Sequence, residues 1–107
     1  MKQGDVYWYT FRAPDKRRPV LILTRNASIP YLTSLTVATI TTAIRGIPTE
    51  VLLSPADGLY ADCAVNLDNL QTIPKAGLDE YIASLSPELL REVRAAIEFA
   101  LALDALG

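Results

Sequence analysis

Three consecutive bases, Lys16, Arg17 and Arg18, follow closely on an aromatic run, Tyr7, Trp8 and Tyr9, and form the densest positive charge in a chain of net charge −2. Counted in halves, the asymmetry is larger. Residues 1–50 hold seven bases (Lys2, Arg12, Lys16, Arg17, Arg18, Arg25 and Arg45) against three acids, a balance of +4, whereas residues 51–107 balance at −6. A local basic region on an acidic protein suits an anionic ligand such as a nucleic-acid backbone, because potential acts over a Debye length of about 10 Å and not over the whole molecule. Lys16, Arg17 and Arg45 are candidate contacts to nucleic-acid backbone phosphates, the alternative being that they only solubilise the surface. Asn69 and Gln71 carry donors and acceptors suited to reading base edges, although such residues at a strand exit also satisfy turns. Among the three aromatics, strand alternation directs at least one into a core and leaves another to stack on a base.

Composition prunes the chemistry further. The chain has no histidine, which removes a Ser-His-Asp triad, a Cys-His pair and two-histidine RNA cleavage. Its lone cysteine, Cys63, cannot form an intrachain disulfide, gives no zinc site without histidine, and reads as a buried apolar filler. The acids are scattered without the close spacing of a magnesium site, so no cofactor or metal is expected. Catalysis must then use Arg, Lys, Thr, Ser, Tyr or carboxylates. No signal peptide opens the sequence, and every apolar run falls short of the ~20 residues that span a bilayer. These features predict a cytoplasmic protein with no membrane partner.

The elements that must position these residues are mostly strands. A chain of 107 residues, half of them apolar, is expected to form one domain over 1–107 that buries roughly two-thirds of its unfolded surface. Gly4 to Phe11 reads as a first strand, Ala13, Pro14 and Asp15 as a turn, and Val20 to Thr24 as a buried second strand. Asn26 to Pro30 is a loop, and Ser34 to Thr41 alternates as a third strand packed on both faces. Thr49 to Leu53 and Cys63 to Leu67 are short fourth and fifth strands separated by a turn at Pro55 to Gly58. Such closely spaced strands favour a small curved sheet or barrel. Near the C-terminus the period changes: Ser86 is an N-cap, Pro87 the first helical residue, and Leu89, Val93, Ile97 and Leu101 recur at spacing four. A second apolar line, Phe99, Leu103 and Leu106, widens this helix's apolar surface and points to a deeper core contact or a homodimer.

Read in order, GDVYW (4–8), RRPVLILTR (17–25), VATITTAIRGIPTEV (37–51) and CAVNLDNLQTIPK (63–75) resemble the successive signature blocks of the MazF/PemK toxin family. The resemblance implies a mainly β fold, a small SH3-like β-barrel with a C-terminal helix (α+β). It also implies a homodimer, a cognate antitoxin, and sequence-specific cleavage of single-stranded RNA. The family's catalytic pair, the arginine of the Arg-Pro block and the threonine ending the third strand, falls here on Arg18 and Thr41. The stretch from Arg12 to Arg17 departs from the pattern, being short and basic where many members are longer and contain glycine.

The implied chemistry is self-consistent. RNA supplies its own nucleophile, the 2′-hydroxyl beside the phosphorus it attacks, so an enzyme must align it and stabilise charge, with no obligatory metal. A guanidinium offers paired donors to phosphate oxygens, and a threonine hydroxyl adds another. Arginine is a poor base at neutral pH and more readily an acid toward the leaving 5′-oxygen, so the sequence names no general base. Products would carry 2′,3′-cyclic phosphate and 5′-hydroxyl ends. Two other readings stand beside this one: a noncatalytic toxin of the same fold, like the gyrase poisons, and an SH3-like module that binds RNA or peptide.

Overall fold

Alternating side chains on two central strands set the architecture. In the computed structural model, which describes residues 1–12 and 16–107, β1 is Asp5–Thr10, β2 Arg17–Ile22 and β3 Ser34–Thr41. β4 (Glu50–Leu53), β5 (Cys63–Pro74), β6 (Leu78–Ser84) and the helix α1 (Pro87–Ala100) complete the fold. The turn expected at Ala13, Pro14 and Asp15 lies outside the described residues. All pairings are antiparallel, in the order β4-β5-β3-β2-β1-β6. The fold is therefore mainly β with one C-terminal helix, as expected. The sheet runs open from β4 to β6 and does not close on itself among the described residues.

Both faces of this sheet are packed. Leu21, Ala38, Ile40 and Val65 point to one face, where Val93 and Ala96 of α1 cover them with help from Leu89, Leu90 and Ile97. Val20, Ile22, Leu35 and Val37 point to the other, where Ile29, Ile73, Tyr7 and Tyr9 enclose a second cluster. Period-two alternation on β2 and β3 is thus apolar on both sides, the pattern of strands buried twice. Tyr7 and Tyr9 share the second face. Trp8 lies on the first, its ring 5.4 Å from that of Tyr60. Cys63 is fully buried, and burial, followed by the charges of Asp62 and Asp57, pushes its thiol pKa up, so it stays in the less reactive protonated form.

Several strand boundaries differ from the sequence expectation, by more than one residue in β2 and β5. The second strand begins at Arg17 and ends at Ile22, so it includes Pro19. The fifth strand continues past Leu67 to Pro74, and β6 was not anticipated. The polar run Asp68, Asn69, Gln71 resembles a turn, but its polar groups find partners within the sheet: Thr49 Oγ1 donates to Asp68 Oδ2 at 2.6 Å, and Asn69 Nδ2 to Thr39 Oγ1 at 3.0 Å. A register shift between Ala38 and Thr39 absorbs the extra residues of β5.

The helix starts as expected, with Leu89 N–H donating to Ser86 Oγ at 3.2 Å, but it ends at Ala100. Ala102 takes a left-handed conformation (φ +49°), and Leu103–Leu106 form a separate 3-10 turn. Leu103 and Leu106 therefore do not continue a line from Phe99 along one helix. The Ala102 N–H bonds to Phe99 O at 3.2 Å, a tighter turn than an α-helix makes, and this redirects the chain. Phe99, Leu101 and Leu106 are exposed all the same. No helix of the described residues is long and apolar enough to cross a membrane.

Candidate active site

Pro19 creates the opening in which the site sits. In the β1–β2 ladder, Phe11 N–H donates to Lys16 O at 2.9 Å, and Trp8 is paired with Pro19. Hydrogen-bonded and non-bonded pairs alternate in an antiparallel ladder, so Trp8–Pro19 is a non-bonded pair and the proline nitrogen faces β3. On that side Leu23 N–H donates to Thr36 O at 2.9 Å, and the same alternation would require position 19 to donate to Ile40. Proline has no N–H to give. The β2–β3 pairing accordingly stops at Val20↔Thr39, and the next positions on that face, Arg18 and Thr41, flank the gap.

Arg18 and Thr41 both line a cleft of about 190 Å³ in that gap. Continuing the β2–β3 register by one same-face pair sets them opposite each other. Arg18 is exposed at the start of β2, and Thr41 is half-buried at the end of β3. Thr41 Oγ1 accepts the Ala43 N–H at 3.0 Å, an arrangement that fixes the oxygen and leaves its own proton to be donated. Farther along the same face, Asn69 Nδ2 donates to the buried Thr39 Oγ1 at 3.0 Å and Gln71 Nε2 donates to Asn69 Oδ1 at 3.1 Å. These amides form an ordered chain along the cleft wall.

The cleft thus gathers five of the seven residues expected from sequence: Arg18, Thr41, Arg45, Asn69 and Gln71. Lys16 and Arg17 line an adjoining groove of about 370 Å³ that shares Arg18 with the first. Arg17 is on the opposite face of β2 from Arg18. Its Nη2 lies 3.3 Å from Asp79 Oδ2 and 3.8 Å from Glu80 Oε1, and its guanidinium stacks 4.5 Å from the Trp8 ring centre. These contacts hold the start of β2 against β1 and β6.

Five cleft residues escaped the sequence reading: Phe11, Thr39, Ala43, Glu50 and Asn66. Thr39 carried a usable signal, since it lies on the same strand face as Thr41. Glu50 carried none, because its place beside the cleft depends on its pairing with Asn66, which in turn pairs with Thr39. Glu50 Oε1 accepts the N–H groups of Arg45 at 3.0 Å and Gly46 at 2.9 Å, which ties the β3–β4 connection to the start of β4. Among the described residues, no three carboxylate or cysteine side chains cluster as metal ligands.

What this arrangement can do is bind an extended anionic strand. Arg18 stands where the two grooves meet, so a phosphate there has further chain on both sides. A guanidinium and a fixed hydroxyl line one cleft, the residue types that can stabilise charge developing on phosphate oxygens. The amide chain beside them presents hydrogen-bonding edges at nucleotide scale.

Residues 2–101 match the model of a family described as PemK-like, MazF-like toxin of type II toxin-antitoxin system. The chain is 51% identical over 71 residues to endoribonuclease MazF3 of Mycobacterium tuberculosis, covering 66% of this chain and 69% of the relative. Its structure resembles that of the Mycobacterium tuberculosis toxin MazF-mt6, with a TM-score of 0.85, 40% identity and coverage of 92% and 96% of the two chains. It also resembles an endoribonuclease in complex with its cognate antitoxin from Mycobacterial species, with a TM-score of 0.85, 30% identity and 96% of each chain covered. With nearly its whole length matched, this chain belongs to the PemK-like, MazF-like toxin family of type II toxin-antitoxin systems.

Proposed function

We propose that this chain is the toxin of a type II toxin-antitoxin pair, a cytoplasmic endoribonuclease that cuts single-stranded RNA at specific sequences without a metal ion. The observation that carries the reading is the placement of Arg18 and Thr41 on either side of the gap that Pro19 opens. Arg18 binds two oxygens of the scissile phosphate through parallel N–H donors, and Thr41 donates its hydroxyl proton to charge that accumulates as the phosphorane forms. The substrate's 2′-oxygen bonds to phosphorus and the bond to the 5′-oxygen breaks. Arg18 gives the departing oxygen its proton. Asn69 and Gln71 read bases, while Lys16, Arg17 and Arg45 contact backbone phosphates. Mapping the ends of fragments cut from mixed RNA tests this chemistry. Cyclic phosphate and 5′-hydroxyl ends are expected, and 3′-hydroxyl with 5′-phosphate ends would contradict it.

The partner protein belongs to the same reading, supported by the relative whose structure contains a cognate antitoxin. An acidic antitoxin segment laid over Arg18 and the basic groove would exclude RNA and bind less tightly as salt rises. Simultaneous binding of RNA and antitoxin at one site would overturn that. The chain acts as a homodimer, with the exposed Phe99, Leu101 and Leu106 as apolar surface available for burial. A monomer by light scattering at micromolar concentration would count against it.

A further inference from the structure

Cleavage by the 2′-hydroxyl needs a group to take that hydroxyl's proton, and the Arg18–Thr41 pair does not supply one. Arginine, threonine, asparagine and glutamine side chains do not accept a proton at neutral pH. Of the described residues that line the cleft, Glu50 is the one carboxylate. Resting on the reading that this cleft cuts RNA, we propose that Glu50 is the general base, accepting the proton of the attacking 2′-hydroxyl.

Its placement fits the task. Glu50 pairs with Asn66 and Asn66 with Thr39, so its side chain shares the face that carries Thr39, Thr41 and Arg18. The two backbone N–H groups on Oε1 orient the carboxylate, as a catalytic base must be oriented by a further group. Both of these bonds fall on Oε1 and neither on Oε2. Among the described residues that line the cleft, the other charged groups are Arg18 from β2 and Arg45 from the β3–β4 connection. β5 faces the cleft with the neutral amides Asn66, Asn69 and Gln71, and its acid, Asp68, takes the Thr49 hydroxyl.

The step balances. The 2′-hydroxyl proton passes to Glu50, and the freed electron pair forms the bond from 2′-oxygen to phosphorus. The bond to the 5′-oxygen breaks with its pair going to that oxygen, which takes a proton from Arg18. Solvent water then reprotonates Arg18 and deprotonates Glu50, restoring the enzyme with no water consumed.

Glu50→Gln separates catalysis from structure, because the glutamine carbonyl still accepts the Arg45 and Gly46 N–H groups but takes up no proton. Single-turnover cleavage of an RNA oligonucleotide containing a mapped cut site should slow by about 10²–10⁴-fold, the usual worth of a general base. Affinity for the same oligonucleotide with a 2′-deoxy residue at the cut should not change. The wild-type rate should fall tenfold per unit of acidification below a break, and the Glu50→Gln rate should lack that break. Glu50→Asp, which keeps the carboxylate, should keep the break at a reduced rate. A Glu50→Gln enzyme with the wild-type pH profile, or one impaired only in binding, overturns the assignment of the base. The reading of the cleft as a nuclease fails separately, on a wild type that does not cut.

Discussion

One face of β2 and β3 holds two regions built from the same geometry. At one end Val20, Ile22, Leu35 and Val37 interlock as a closed apolar cluster, each fully or almost fully buried. At the other end Arg18, Thr39 and Thr41 continue the same alternation and line an open polar cleft. Backbone direction and side-chain parity are common to both. What changes is residue type at the Val20↔Thr39 pair and one missing hydrogen-bond donor at Pro19. An open polar cleft therefore requires no departure from strand geometry here, only the end of a ladder and polar residues on positions that would otherwise extend a core.

That comparison yields paired predictions. Leu35→Ala, at the closed end, should cost about 2–5 kcal/mol of stability in denaturant unfolding while the cleavage rate per folded molecule stays at the wild-type value. A rate loss at undiminished stability would blur the division between the two ends. Thr41→Ala, at the open end, should do the reverse. Its melting temperature should hold, and kcat/KM should fall by about 10²–10³-fold, as when one oxyanion-hole donor is removed. Thr41→Ser restores the hydroxyl and should recover most of that loss.

The smallest effect probes the boundary itself. Pro19→Ala returns an N–H aimed at Ile40 O, which should let the β2–β3 ladder extend toward Arg18 and Thr41 and draw the two together. Cleavage should drop by roughly tenfold to a hundredfold, the scale of a misplacement of about 1 Å, with stability equal or improved. Hydrogen exchange checks the cause, since the new amide at position 19 should be protected. A protected amide with unchanged activity would show that the gap does not matter.

The sequence made the two ends unequally legible. Apolar alternation revealed β3 with its observed bounds, and Ser86, Pro87 and the spacing of Leu89, Val93 and Ile97 revealed the start of α1. The polar half of β5 was illegible because Asp68, Asn69 and Gln71 have turn chemistry when read locally, and only Thr39 and Thr49 across the sheet make them strand residues. For the same reason Arg18, Thr41, Arg45, Asn69 and Gln71 were reachable through motif and residue type, whereas Glu50 and Asn66 were not. Their place in the cleft follows from register, which a single strand's pattern does not contain. Arg17 and Arg18 illustrate this. As adjacent residues they look interchangeable in sequence, yet strand parity sends one to Trp8 and Asp79 and the other into the cleft.

In the proposed function, an arginine and a threonine on the open end cut RNA without a metal ion. The most direct test is the single-turnover cleavage rate of folded wild type and Arg18 variants, each with and without EDTA. Arg18→Ala should nearly abolish cleavage, Arg18→Lys should restore little because a point ammonium does not reproduce two parallel donors, and EDTA should change no rate. Near wild-type cleavage by Arg18→Ala, or loss of wild-type cleavage on chelation, would contradict the account.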